Sequence, residues 1–265
     1  MNDPLGMAYI QIGPWQLAVA VVFVLLAGGL SLVHHLKLER DLAIGTLRTF
    51  AQLFAMGYLL RILFGLQSAL LVVGMYMVMT WFAARIVKGR VREKSVDYFV
   101  PTLLAVQVTF FLVTFVVTGL IIGAKPWWEP QYFIPIGGMV AGNSMNALAV
   151  ALDRLFADLR AHRAEVEMCL CLGADRDEAS ADIFRGALRA GMIPSVNSMM
   201  GVGLVSIPGM MTGQIMAGAD PADAVRYQIV VMLMIVASTA LATFIVLHLV
   251  RKRCFGRAHN LLLKA

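Results

Sequence analysis

Seven stretches of this sequence run for about twenty residues each with almost no charge: Trp15 to Leu36, Thr46 to Phe64, Ala69 to Val87, Val100 to Ile122, Ile134 to Leu155, Pro194 to Ala217 and Val225 to Val250. About 20 apolar residues is the length a helix needs to cross the hydrocarbon of a bilayer. Backbone in hydrocarbon must satisfy its own polar groups, so each stretch is predicted to be a helix. With 265 residues in all, 60% hydrophobic and 14% charged, and a mean hydropathy of +0.78, no soluble domain fits beside them. The predicted fold is therefore all-α, a polytopic integral membrane protein with about seven transmembrane helices in a single transmembrane domain over residues 1–265.

The net charge of +6 does not point to nucleic acid, because the basic residues sit in short clusters between the apolar stretches. Lys37 and Arg40 follow the first, Arg85, Lys88, Arg90, Arg92 and Lys94 end and follow the third, and Arg251, Lys252, Arg253 and Arg257 follow the last. The alternate connectors hold only Lys125, with Arg61 and Arg226 close by. Positive charge favours the cytoplasmic side, which predicts an outer N-terminus and a cytoplasmic C-terminus, with Trp127 and Trp128 in an outer interfacial belt. Met1 to Pro14 carries no Lys or Arg, unlike a signal peptide, so the first stretch is expected to stay as an anchor. Cys169, Cys171 and Cys254 are odd in number and lie beside basic sequence, which argues against a disulfide framework.

Residues 156–193 form the one extended polar segment. It has no proline, and Gly173 lies near its middle, so it reads as two amphipathic helices meeting at Leu172-Gly173-Ala174. Gly173 can adopt the left-handed conformation that ends the first, and Asp175 can cap the second. A helical hairpin on the cytoplasmic face is the expectation.

Two spans are irregular. The fifth carries Gly138 and Gly142, a small-residue pair that admits a neighbouring helix, and a face of Met139, Asn143, Asn146 and Val150. The sixth holds Asn197 and, near mid-depth, Pro208 and Gly209, so a kink or break is expected, tolerable where protein or a water-filled cavity covers the freed backbone. Buried amides mark either a pathway or a helix–helix bond. Asn143, Asn146, Asn197, Pro208 and Gly209 are the candidate translocation path; both readings stay open for Asn143 and Asn197, while a packing bond is the expected role of Asn146. Met210 and Met211 are candidate soft-metal ligands, although flexible packing is the commoner role of methionine and thioethers suit Cu(I) better than Fe(II). Cys169, Cys171 and His162 make an incomplete metal site, with burial in the apolar face of the hairpin the expected role of the cysteines. His34 and His35 belong at an interface.

The spacing of Glu167 and Leu172-Gly173-Ala174 resembles the coupling motif of ABC transporter permeases, in which an acidic residue stands six positions before the Gly of a Leu-Gly-Ala turn. Met168 and Cys169 replace two alanines of the importer motif, and the closing Ile193-Pro194 comes late. More widely, Pro-Ile-Gly-Gly-Met-Val-Ala-Gly-Asn-Ser-Met at 135–145, Gly-Leu-Val-Ser-Ile-Pro-Gly-Met-Met-Thr-Gly at 203–213, and Ala-Gly-Ala-Asp-Pro at 217–221 leading to Arg226-Tyr227-Gln228 resemble the FetB-type permease family of iron-export ABC transporters. Arg48, Gln52, Gly57 and Tyr58 are a weaker echo of it in the second span. Relatives of that family include plant aluminium-tolerance permeases.

The resemblance implies a permease subunit that exports metal ions such as iron from a bacterial inner membrane, works as a homodimer, and docks a separate ABC ATPase subunit through Glu167, Leu172, Gly173, Ala174 and Asp175. ATP and Mg would belong to that partner. The sequence agrees in one respect: it has no Gly-Lys dipeptide and hence no Walker A loop. This chain is thus expected to carry no cofactor and no catalytic residue. The alternatives are a stand-alone secondary transporter, for which no inverted repeat is visible, and a same-family permease for another cargo such as a nucleotide sugar.

Overall fold

A computed structural model of the chain describes residues 12–66, 68–91, 93, 95–256 and 260–263. Of the basic residues used above for orientation, Arg92, Lys94 and Arg257 lie outside the described residues, as does the start of the uncharged N-terminal segment. The contacts divide the chain into two units, Met1–Gln67 and Ser68–Ala265.

The first unit contains α1 (Pro14–Val33) and α2 (Glu39–Leu66). Pro14 opens α1, where its missing N–H costs nothing. The turn between them closes on Ser31, which is buried: its hydroxyl donates to Glu39 Oε1 at 2.8 Å and accepts from the Leu38 amide at 3.0 Å. His34 caps the end of α1, and His35 and Lys37 adopt left-handed backbone. Both helices leave almost all their apolar side chains exposed, among them Phe23, Leu25, Leu47 and Phe54, and both are long and apolar enough to cross a membrane.

The second unit contains α3 (Ala69–Arg90), α4 (Phe99–Phe115, continued by a π-helical turn Val116–Ile121), α5 (Pro130–Ala161), α6 (Arg163–Cys171), α7 (Arg176–Ala179), α8 (Ala181–Gly201), α9 (Gly209–Met216) and α10 (Pro221–Cys254). Among the described residues there is no strand beyond two isolated bridges. α5 is the hub, packing on α3, α4, α8 and α10. One end of the core is aromatic: Tyr76 of α3 is fully buried with its ring 5.1 Å from Phe133 and its hydroxyl 3.3 Å from Thr114 Oγ1. Trp127, expected in an interfacial belt, is half-buried and packs edge-on against Phe111, Phe115 and Phe133. Gly137 is what lets α5 approach Tyr76, since a Cβ there would lie 2.3 Å from the ring. Gly191 does the same for α8, where a Cβ would meet Ala151 Cβ at 2.8 Å and the Ala147 carbonyl at 2.9 Å. Small residues are how membrane helices gain close backbone contact.

Six helices are long and apolar enough to cross a membrane among the described residues, namely α1, α2, α3, α4 with its π turn, α5 and α10. The predicted sixth span, 194–217, is not one helix. α8 runs from the hairpin to Gly201, residues 202–208 leave helical geometry, and α9 restarts at Gly209 with Pro208 as its N-cap. Pro208 has no amide to donate and its ring excludes the preceding turn, while Gly203 takes φ +82° and closes a tight loop by donating to Ser206 O at 2.9 Å. The break is complete rather than a kink.

The hairpin also differs in its arms. α5 does not stop at the predicted end of the fifth span but continues to Ala161, and α8 begins at Ala181, so the hairpin is the shared extension of two core helices, closed by α6 and α7.

Candidate coupling hairpin and broken helix

The hairpin turn forms as its residues require. Gly173 adopts φ +96°, its amide donates to Leu170 O at 3.1 Å, and the Ala174 amide donates to Cys169 O at 3.0 Å, which satisfies the last carbonyls of α6. Asp175 Oδ1 accepts from the Glu178 amide at 2.7 Å while Glu178 Oε2 accepts from the Asp175 amide at 2.9 Å, a reciprocal capping box. Glu167 pairs with Arg163 one turn back at 2.8 Å. At the tip, Leu172 is 81% exposed and Met168 is exposed beside it. An ordered turn thus presents two apolar side chains next to the carboxylate of Glu167.

Behind the tip, charged groups bind the hairpin to the rest of its unit. Arg251 of α10 is buried, stacks over the Phe184 ring at 4.5 Å, and pairs with Asp177 Oδ1 at 2.8 Å. Arg163 donates to Leu263 O at 2.8 Å, and Arg160 pairs with Glu93, a buried carboxylate that also accepts from the Ser95 amide and hydroxyl. Tyr98, its ring tilted against Phe156 at 5.6 Å, donates to Lys88 O at 3.3 Å. Burial, then the carboxylates of Asp153, Glu93 and Asp97, push its phenol up to about 12, so it remains a donor at neutral pH.

The candidate path residues are brought partly together. Gly191 meets Ala147 and Ala151, and α8 runs back along α5, so six residues further on Asn197 lies at the level of Asn143. Both are exposed. The Asn143 amide donates only to Met139 O of its own helix, at 2.8 Å. Asn146 is set apart, accepting a bond from Arg90 at the end of α3. Of the small-residue pair, Gly138 packs against Met79 whereas Gly142 meets nothing. Pro208 and Gly209 form the start of α9, and of the two candidate methionines Met211 lines a cavity there.

That cavity, about 440 Å³, lies between the break and α10 and is walled by Met199, Ile207, Met211, Val225, Met232 and Gln228. Gln228 is buried and its Oε1 has no hydrogen-bond partner. The sequence signal for it was present, since the Arg226-Tyr227-Gln228 string was noted, but its role depends on what α9 leaves uncovered. Ser144 and Thr239, which bond across α5 and α10 at 3.1 Å, carried no signal at all. Among the described residues no group of three or more His, Cys, Asp or Glu could hold a metal ion. Cys169 is half-buried and Cys171 exposed, so the expected burial in the apolar face fails for Cys171, which sits at the outward end of α6.

Comparison with known proteins bears on these features as a whole. The model of an uncharacterised protein family, UPF0014, matches residues 14–255. The UPF0014 membrane protein slr1647 of Synechocystis sp. is 37% identical over 81% of this chain and 83% of its own length. The probable iron export permease protein FetB of Escherichia coli is 34% identical over 93% of each chain. The protein ALUMINUM SENSITIVE 3 of Arabidopsis thaliana is 32% identical over 92% of this chain and 88% of its own. No solved structure matches.

Proposed function

Since the chain belongs to the UPF0014 family of membrane proteins and is a membrane permease of that family, we propose that it is the transmembrane subunit of an ATP-driven exporter of metal ions such as iron, with ATP and Mg held by a separate ABC ATPase subunit. The metal cargo follows the name of the FetB relative. In this reading two copies of the chain sit in a bacterial inner membrane, N-terminus outside and C-terminus in the cytoplasm, with the hairpin on the cytoplasmic face.

One observation carries the mechanism: the hairpin and the helix break are the two ends of α8. Twenty-one residues at 1.5 Å each make a strut of about 30 Å. The partner ATPase grips Leu172 and Met168, with Glu167 placed for a basic group, and closure of its nucleotide sites tilts the tip. Arg251 on Asp177 and Phe184 passes the tilt to α10, and α8, along which Asn143 and Asn197 are exposed, passes it to the break. Carboxamide and carbonyl oxygens are hard donors that suit a ferrous ion in passage, whereas thioethers would favour Cu(I). The methionines then serve mainly as packing.

The reading is tested by expressing the chain with an ATPase encoded beside it, purifying through a tag on the chain, and measuring ATP hydrolysis with and without ferrous ion. Co-purification with stimulated hydrolysis is expected. A chain that moves metal in vesicles with no ATPase present is instead a secondary transporter. A complex stimulated by another solute and not by metal keeps the ATPase partner and changes the cargo.

A further inference from the structure

The stretch 202–208 presents a physical problem that its own unit solves only in part: the amides of Val202 to Ser206 bond to the carbonyls of Ser198, Gly201 and Ser206, whereas the amides that open α9 have no side-chain cap. The cavity against it is walled by Val225, Gln228, Ile229, Met232 and Leu233 of α10, so the break lies alongside a helix long and apolar enough to cross a membrane. Irregular backbone inside a membrane is not compatible with lipid, because carbonyls and amides without partners find none in hydrocarbon. Yet Leu204 is 91% exposed and Val205 87% exposed. Something other than lipid covers this face.

The face has a protrusion and a hole side by side. Leu204 and Val205 project from the loop whose neighbouring residues, Val202, Gly203 and Ile207, line the 440 Å³ apolar cavity. A two-fold interface requires one surface to be complementary to itself, with each copy giving what the other receives. A knob and a matching hole on one patch meet that requirement. The cavity also contains the unpartnered Gln228 Oε1, a buried acceptor awaiting a donor, and Gly201, Gly203, Gly209 and Gly213 leave room for close backbone approach.

We propose that the broken helix is the contact between two copies of this chain, with Leu204 and Val205 of each entering the other's cavity. This rests on the homodimer of the preceding subsection and names its interface. The tip of the loop is then enclosed by protein, one of the two conditions under which unwound backbone is tolerated inside a membrane.

Cysteine cross-linking in liposomes tests it. In a full-length chain with Cys169, Cys171 and Cys254 replaced by Ala, Leu204→Cys or Val205→Cys combined with Met232→Cys in the cavity wall should form a disulfide-linked dimer on mild oxidation, while Leu70→Cys, exposed on α3, combined with Met232→Cys should not. The double variant L204S/V205S should shift the dimer to monomer at least tenfold in dilution measurements, with unchanged helix content. An unaltered chain that is dimeric without cross-links at 204 or 205 overturns this interface and leaves the homodimer standing. A monomeric unaltered chain overturns both. Rapid labelling of Leu204→Cys by a membrane-impermeant thiol reagent, without cross-linking, assigns the loop to a water-filled passage and overturns the proposal.

Discussion

Four glycines show how unequal the sequence signals are. Gly173 was readable, because a left-handed residue between two helical segments is a local requirement and Gly173 stands near the middle of the segment. Gly137 and Gly191 were not, because what they accommodate, the Tyr76 ring and the α5 backbone at Ala147, comes from elsewhere in the chain. Conversely Gly142 looked like half of a packing pair and has open space around it. Substitution should sort them accordingly. Gly191→Ala should destabilise by about 1–3 kcal/mol, the usual cost of overpacking where backbone must give way, and Gly137→Ala should cost as much unless Tyr76 rotates out. Gly142→Ala should be neutral within about 0.5 kcal/mol, a typical surface value. Thermal unfolding of the detergent-solubilised variants checks the order. At the path, Asn143→Leu should reduce metal efflux by reconstituted complex, whereas Met210→Leu with Met211→Leu, nearly volume-conserving, should leave most of it. The opposite result would favour a thioether route.

At the scale of elements, the helices announced themselves by apolar length, and their ends did not. α5 runs on to Ala161 because a helix leaving the membrane exchanges an all-round apolar surface for an amphipathic one, and the predicted boundary marked that exchange instead of the end of the hydrogen bonding. Pro208-Gly209 pointed to the break, but its extent depends on the loop closed by Gly203 and Ser206, which sequence periodicity does not show. The hairpin and its cap were legible; its attachment through Arg251 was not, since Arg251 reads as one more basic residue at a membrane edge. Asp177→Ala strands a buried guanidinium and should cost between about 1 kcal/mol, as for exposed pairs, and about 3 kcal/mol, as for buried ones. Asp177→Ala should also weaken coupling more than binding: ATPase and permease still co-purify, but hydrolysis no longer responds to metal. Glu167→Lys, on the exposed tip, should weaken association itself and leave stability unchanged.

For the whole molecule, six helices among the described residues are long and apolar enough to cross a membrane, α8, the break and α9 are the proposed further crossing, and the charge bias between the apolar stretches gives the proposed orientation. A reporter active only in the cytoplasm should therefore be active after residue 263 and silent when inserted at Lys125. The division of the described chain at Gln67 was not legible, because nothing in the composition changes there; only the sparse contacts of α1 and α2 reveal it. The central claim is that motion imposed on the hairpin is passed along α8 to the helix break, and the most direct test is metal-dependent ATP hydrolysis by the purified permease–ATPase complex carrying Gly173→Pro, which spoils the left-handed turn at the tip without touching the spans. The account predicts a complex in which basal hydrolysis survives and stimulation by ferrous ion is lost; stimulation equal to that of the unaltered complex would contradict it.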